Sequence, residues 1–473
     1  MTITATRKER DSMGEFEVPA DAYYGANTMR AKVNFPISDL RLPRGFIRAI
    51  GLIKQQSALV NRELGLLDED IAGAIIRAAQ DVIDGALDGE FIVDVFQTGS
   101  GTSTNMNANE VIANRAIELL GGVRGSRAPV HPNDHVNLGQ SSNDVIPTAI
   151  QVAAAVSIRE DTVPGLALLE GSLRRKSEEL WQVIKTGRTH LQDATPIRLG
   201  QEFLGYAGQV ERARLHCEEA IASLAELPLG GTAVGTGVGT APEFPPKVIA
   251  LLAADAGIPF RETGNHFCAQ STLDAVVAAS GALRAVAISL YKIASDIRLL
   301  GCGPRAGIAE IAIPEVQPGS SIMPAKVNPV ICESVTMVAA QVIGNDATIA
   351  FCGAAGSILE LNVMMPVAAY DLLQSASLLA ASARNLATQC VDGITATDNG
   401  PAMVERGLML GTALAPRIGY DAAAAIAKEA YSTGRTVREV ARERSGLDEA
   451  ELTRLLDAEA MTRPGRDAGP AAG

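Results

Sequence analysis

Residues 198–227 read RLGQEFLGYAGQVERARLHCEEAIASLAEL. Leu199, Tyr206, Val210, Ala213, Cys217 and Ala220 recur in it at spacings of three, four or seven, while Glu211, Arg212, Arg214, Glu218 and Glu219 take other faces. One apolar stripe with a charged remainder is the signature of a long helix, not of a strand. The same periodicity runs through roughly 145–185, 271–300, 333–352 and 366–390. The chain is therefore predicted to be built on long helices.

Composition agrees. Of 473 residues, 47% are hydrophobic but only 4% aromatic, so Ala, Leu, Ile and Val must fill the core, which suits closely packed helices. The fold class expected is all-α, mostly helical. In the 271–300 stretch Ala275, Ala278, Ala279, Ala282, Ala285 and Ala287 leave little bulk on much of the surface, so neighbours can approach on more than one side. That points to a bundle extended by other subunits, although a GC-rich genome would also account for part of the alanine.

The length allows about three domains. The expected division is an N-terminal domain over 1–141, a central long-helix domain over 142–392 and a small helical C-terminal domain over 393–473. The first 40 or so residues read as irregular, broken by Pro19, Gly25, Asn27 and Pro36. Asp68 is placed to N-cap a helix whose stripe is Ile71, Ile75, Ala78 or Ala79 and Val82. Shorter helices are expected over Tyr420–Tyr431 and Arg435–Leu456, and a disordered Pro/Ala/Gly-rich tail from Arg463 to Gly473.

The net charge of −13 and the absence of any basic run longer than Arg174-Arg175-Lys176 argue against nucleic acid as a partner. Six scattered cysteines with no C-x-x-C pair fit reduced, buried thiols. His131 and His135 have a metal-like spacing, but Pro132 between them argues against the helix that would align them, so no metal site is expected. Met1–Asp11 lacks the apolar core of a signal peptide and no apolar run of transmembrane length is evident, so a soluble, cytoplasmic protein is expected, with no membrane partner.

Four polar clusters interrupt the apolar helices. Gly319-Ser320-Ser321-Ile322-Met323-Pro324-Ala325-Lys326-Val327-Asn328-Pro329 packs hydroxyls, an ammonium and an amide into a loop bounded by breakers, equipment for an anion. Ile322 and Met323 beside a lone Lys suggest a half-buried carboxylate clamp, where the bland alternative is a surface turn. Thr98–Asn107 supplies Ser100 and Thr102 among glycines, ahead of a helix expected over Glu110–Leu120; a Gly/Ser linker is its bland alternative. His131–Asp144 places Ser141, Ser142 and Asn143 just before a long helix, itself an anion site, and capping explains one of them but not three.

Gly187–Pro196 sets His190 and Thr189 in a break between long helices. His190 is a candidate for polarising a carboxylate or relaying a proton through water, whereas His216 falls inside a helix pattern and reads as structural. Glu333 follows the first loop; it is either a partner that raises the basicity of His190 or a solvated residue at a helix start. The inventory of many hydroxyl and amide donors, one Lys, one His and one Glu, with no phosphate loop, suits a small dicarboxylate and proton removal next to a carboxylate.

The Gly319–Pro329 segment resembles the signature of the fumarase/aspartase superfamily. Val18-Pro19-Ala20-Asp21, Thr98–Asn107, His131–Asp144, Gly187–Pro196, Gly230–Gly237 and Glu360-Leu361-Asn362-Val363 are similar to the corresponding family segments. The resemblance implies a three-domain helical subunit, a tetramer whose central helices form one bundle, and active sites built from three chains. It also implies no cofactor. By motif, Ser320 is the expected base, Lys326 and Asn328 hold the carboxylate that takes up charge, and Thr189 and His190 hold substrate or, with Glu333, handle water. Ser100, Thr102, Ser141, Ser142 and Asn143 are expected on the other carboxylate and the leaving-group side, with Ser321 as a further substrate contact.

Two activities compete within the family. Thr98–Thr102, Gln140–Asp144, His190–Pro196 and Cys332-Glu333 resemble class II fumarases, which implies reversible hydration of fumarate to (S)-malate. Tyr23-Tyr24-Gly25, Ala325 where fumarases usually have Gly, and Val363-Met364-Met365-Pro366 lean towards aspartate deamination. The hydratase is the favoured expectation because the first group includes substrate-contacting positions. A silent helical scaffold is a third alternative, but Ser320, Lys326 and His190 are all retained. The family's accessory carboxylate site maps to His131, Asn133 and Asp134; Ala128 stands where a basic residue is usual, leaving Arg127 as the nearby cation.

Overall fold

The computed structural model describes residues 5–464. The tail from Gly465 and the first four residues, on which two of the expectations above partly fall, lie outside them. A hairpin of β1 (Thr6–Asp11) and β2 (Gly14–Pro19) leads into α1 (Ala26–Asn34), α2 (Arg44–Glu63), α3 (Glu69–Ile83), α4 (Thr102–Leu119) and α5 (Ser142–Ser157). After α6 (Val163–Glu179) come β3 (Ile184–Thr189), β4 (Gln192–Arg198) and α7 (Leu199–Leu224). Then follow β5 (Glu226–Leu227), α8 (Phe244–Ala256), β6 (Arg261–Glu262), α9 (His266–Ser271) and α10 (Asp274–Leu300). β7 (Ile311–Ala312) precedes α11 (Val330–Gly356), the hairpin β8 (Ser357–Ile358) and β9 (Leu361–Asn362), and α12 (Met365–Gln389). β10 (Thr395–Ala396) pairs antiparallel with β7, and α13 (Asn399–Val404), α14 (Ala415–Ile418), α15 (Tyr420–Thr433), α16 (Val437–Arg444) and α17 (Glu449–Leu455) complete the chain.

The fold is mostly helical, and the sheets are all two-stranded. It resolves into two compact units: residues 1–164, 213–287 and 338–381 form the first, and 165–212, 288–337 and 382–473 the second. The long helices follow the predicted stripes. In α7 every stripe residue, Leu199, Tyr206, Val210, Ala213, Cys217 and Ala220, is buried. Asp68 caps α3 as expected, its carboxylate accepting the N–H groups of Asp70 and Ile71.

Three local expectations are corrected. The opening 40 residues are not irregular, because β1 and β2 pair over Thr6–Asp11 and Gly14–Pro19 and α1 follows. The start of α1 depends on a distant partner: Glu110 of α4 accepts the N–H groups of Gly25, Asn27 and Thr28, which no local pattern announces. α4 begins at Thr102, eight residues before the expected Glu110, since its buried face carries Asn105, Asn107 and Asn109 rather than an apolar stripe. The break around His190 is a β-hairpin.

α10 and α11 are long and apolar enough to cross a membrane by length and composition, contrary to the expectation of no such run. Less than half of each apolar window is buried (44% and 39%), and Arg284 of α10 pairs with Asp346 of α11 at 2.7 Å. A charged pair spanning two such helices is costly in hydrocarbon and ordinary at a helix contact in water.

Candidate active site

In the first unit, Gly101 takes a left-handed φ of 71°, which Gly tolerates freely, and so turns the chain into the N-terminus of α4 at Thr102. Ser100 Oγ lies 2.8 Å from Thr102 Oγ1, and Thr102 Oγ1 lies 2.8 Å from Ser142 Oγ. Three of the candidate hydroxyls from two segments thus form one chain. Ser141 N-caps α5 with a capping box completed by Asp144, and Asn143 donates through Nδ2 to the Ala233 carbonyl at 2.8 Å. Two helix N-termini and a file of hydroxyls therefore converge, an arrangement that favours an anion.

Two buried charges that sequence reasoning missed hold this cluster. Asp144 is fully buried; its Oδ1 accepts the Ser141 N–H at 2.9 Å and its Oδ2 accepts those of Gly230 and Thr232 at 3.0 Å each. Burial pushes its carboxyl above the ordinary value, and those N–H bonds and the Lys54 charge oppose the rise. Lys54, also fully buried, donates to Asn137 Oδ1 at 2.8 Å and Gln140 Oε1 at 3.0 Å. Burial pulls its ammonium down to about 7. Asn137 Oδ1 also accepts from Asn105 and Asn109 of α4, each at 3.2 Å, so one amide oxygen binds α2, α4 and the turn before α5. The signal was there: Lys54 falls seven residues after Ile47 and four after Ile50, on the apolar face of α2.

The second unit carries the Gly319–Pro329 loop. Ser320 Oγ accepts the N–H groups of Met323 at 3.1 Å and Ile322 at 3.3 Å. Asn328 Nδ2 donates to the Gly319 carbonyl at 2.6 Å and closes the loop. A Cβ on Gly319 would run into the Lys326 carbonyl, so only Gly fits that closure. The Lys326 side chain is exposed, with no ion pair among the described residues. The half-buried loop expected from Ile322 and Met323 is not what one chain forms, since they are 83% and 48% exposed. The side-chain hydrogen bonds described for the loop stay within it.

Thr189 and His190 lie at the tip of the β3–β4 hairpin, both exposed, with Thr189 paired to Gln192. His190 and Leu191 form the turn with φ of 55° and 59°. A left-handed pair is the geometry of the tight hairpin turn, but without Gly each residue costs about 1–2 kcal/mol. Glu333 is exposed in the first turn of α11, and no hydrogen bond joins it to His190 among the described residues. His131 Nδ1 accepts the N–H groups of Asn133 and Asp134 at 3.2 and 3.1 Å, so it serves as a cap; burial lowers its pKa, with the Asp134 charge opposing and Arg127 assisting. The structure thus gathers Ser100, Thr102, Ser141, Ser142 and Asn143 in the first unit, while Thr189, His190, Ser320, Ser321, Lys326, Asn328 and Glu333 belong to the second.

A helical lyase built on N-terminal hydroxyl clusters and a serine loop is the class these features define, and comparison with known proteins agrees. A family described as Lyase matches residues 14–344 and one described as Fumarase C C-terminus matches residues 410–463. The chain belongs to the fumarase/aspartase superfamily and is most like its class II fumarate hydratases. It is 52% identical to "Fumarate hydratase class II 2" of Bradyrhizobium diazoefficiens over 98% of each chain, and 55% identical to the class II fumarate hydratase of Halobacterium salinarum over 97% of each. Among solved structures, class II fumarase from Schistosoma mansoni superposes with a TM-score of 0.95 at 37% identity, over 97% of this chain and all of that one. A Brucella melitensis "fumarate lyase:delta crystallin" gives 0.93 at 47% identity, over 97% and 100%.

Proposed function

We propose that this chain hydrates fumarate reversibly to (S)-malate, as a cytoplasmic homotetramer whose active sites draw on more than one copy. The observation that carries the reading is the pair of N–H groups on Ser320 Oγ. A serine hydroxyl is a poor base at its ordinary pKa, and donors aimed at the oxygen stabilise the alkoxide it must become. Close similarity over nearly the whole chain to proteins named class II fumarate hydratases supports the same reading.

Starting from malate, in the direction of fumarate, Ser320 Oγ as its alkoxide takes the C3 proton and the electron pair moves into the adjacent carboxylate as a dianionic aci-carboxylate. The Lys326 ammonium and Asn328 amide counter that charge. The C2–O bond then breaks on the opposite face, and the hydroxide leaves as water with a proton delivered through His190, oriented with Thr189 and Glu333. Ser100, Thr102, Ser141, Ser142 and Asn143 hold the other carboxylate and the leaving-group side, with Ser321 as a further contact, and His131, Asn133 and Asp134 beside Arg127 are the candidates for an accessory carboxylate site. One proton and one hydroxide move, so the step as written calls on no cofactor.

The shared site is supported by apolar side chains left exposed on α10 and α11: Ile288, Tyr291, Met337, Ile343 and Phe351. Sedimentation that found an active monomer would overturn the tetramer. Ala325 and Val363–Pro366 favour aspartate ammonia-lyase as the second reading. Following the absorbance of fumarate with malate and with aspartate as separate substrates decides between them: turnover of malate is expected, and turnover of aspartate alone would refute the hydratase.

A further inference from the structure

The strand that leads to the strained His190 tip carries an ionic cluster with a buried centre. Lys185 of β3 and Glu310 are each 1% exposed at the side chain. Lys185 Nζ lies 2.8 Å from Glu310 Oε2 and 2.7 Å from Glu202 Oε1 of α7, and Arg188 Nη1 donates to Glu310 Oε1 at 2.8 Å. Glu310 thus meets one strand cation on each of its oxygens, one on either side of the register slip between Thr186 and Arg188. Its own backbone is fixed at both ends, the N–H donating to the Leu300 carbonyl at 2.9 Å and the carbonyl accepting from Thr397 at 3.1 Å. The next residue opens β7, which precedes the Ser320 loop in the chain.

A carboxylate hydrogen-bonded by Arg188 on one oxygen and ion-paired with Lys185 on the other is restrained in rotation, and so is the strand that carries both cations. Stability alone does not account for the cluster. Buried and partly buried ion pairs are weakly stabilising at best, and Glu202 Oε2 and Glu310 Oε2 are both buried without a hydrogen-bond partner. A turn of two non-glycine left-handed residues persists only where its surroundings over-determine it, and Arg188 anchors β3 one residue before Thr189. We propose that Glu310, through Arg188 and Lys185, is a positioning residue that holds the His190 turn in register with the segment feeding the Ser320 loop. The inference rests on the hydratase reading for its substrate and on the role of His190.

A double-mutant cycle tests it. Glu310→Gln keeps the shape and removes the charge; kcat is expected to fall about 10- to 100-fold with KM moving far less, since a misplacement of about 1 Å has that effect. In a His190→Asn background the same substitution is expected to cost less than about 2-fold more, because the turn no longer has anything to position. Equal losses in the two backgrounds would show a merely structural role and sink the proposal. Should Glu310→Gln not fold, Arg188→Lys, which keeps the charge and loses the guanidinium geometry, carries the same cycle with the same two outcomes. If native protein turns over aspartate and not malate, the hydratase reading fails while the cycle, run on aspartate, still tests Glu310.

Discussion

The two groups of candidate residues, one in each compact unit, are held in opposite ways. The hydroxyl file of Ser100, Thr102 and Ser142 rests on buried charge: Asp144 behind α5, and Lys54 behind the turn before it, tied to α4 by Asn137. The Ser320 loop has nothing of the kind. It is closed by Asn328 on Gly319, it wraps two N–H groups around Ser320, and it leaves Ile322 in solvent. One half is preorganised within a single chain, as an anion clamp in low dielectric needs to be. The other has its internal geometry set but not its cover, which fits a base that must admit substrate before water is excluded.

The largest expected effect breaks the exposed half. Ser320→Ala should leave the fold and melting temperature within a degree or two of the native protein and cut kcat by at least about 100-fold, the lower end of what a positioned base contributes. Retained turnover in Ser320→Ala, measured by fumarate absorbance, would remove the base from the loop altogether.

The buried half should fail differently. Asp144→Asn exchanges an acceptor of three N–H groups for an amide that must turn a donor towards one of them, and it strips Lys54 of its countercharge. A loss of about 3–5 kcal/mol is expected, as for breaking a buried charge pair, read as a fall in denaturation midpoint together with a weakened KM. A variant as stable as the native chain would show that the capping box alone holds α5.

These contrasts explain what the sequence disclosed. The stripe of α7 and the cap of α3 were legible because both follow from residues within a few turns of one another. The chemistry of the loop was legible because its hydrogen bonds are local: Ser320 to Met323 spans three residues. Lys54 was not, although it interrupts an apolar face, because its acceptors lie 83 and 86 residues away. The hairpin bearing His190 was missed for a related reason. Gly187–Pro196 has no apolar alternation, and its strands are pinned by Glu310, 122 residues beyond Arg188. Local interactions wrote the helices and the serine loop; the polar posts behind the site come from tertiary contacts that no periodicity records.

Lys54 offers a sharper, smaller test of the buried half through pH. Its folded pKa lies at about 7, below the ordinary lysine value, so between those two limits the unfolded chain holds the extra proton. Stability from this group therefore rises as pH climbs above about 7 and is withheld below it, with a slope of up to ~1.4 kcal/mol per pH unit. Lys54→Met should flatten the rise in melting temperature between pH 7 and 9. Parallel curves for the two proteins would mean that the ammonium keeps its proton throughout, held by Asn137, Gln140 and Asp144.

The smallest effect belongs to Ala325, and it bears on how much strain the exposed half stores. Ala325 has a φ of 63° in the middle of the Ser320 loop, a conformation that costs an alanine about 1 kcal/mol and a glycine almost nothing. Ala325→Gly relieves that strain but also frees the loop in the unfolded chain, so the two contributions nearly cancel in global stability. What remains is a local change. The glycine loop should open more readily, which raises amide exchange over 319–329 and changes kcat by no more than about 3-fold if loop closure limits turnover. If exchange over the loop is unchanged while KM shifts, then position 325 acts on substrate choice rather than on closure, and the resemblance to aspartases at that residue gains chemical weight.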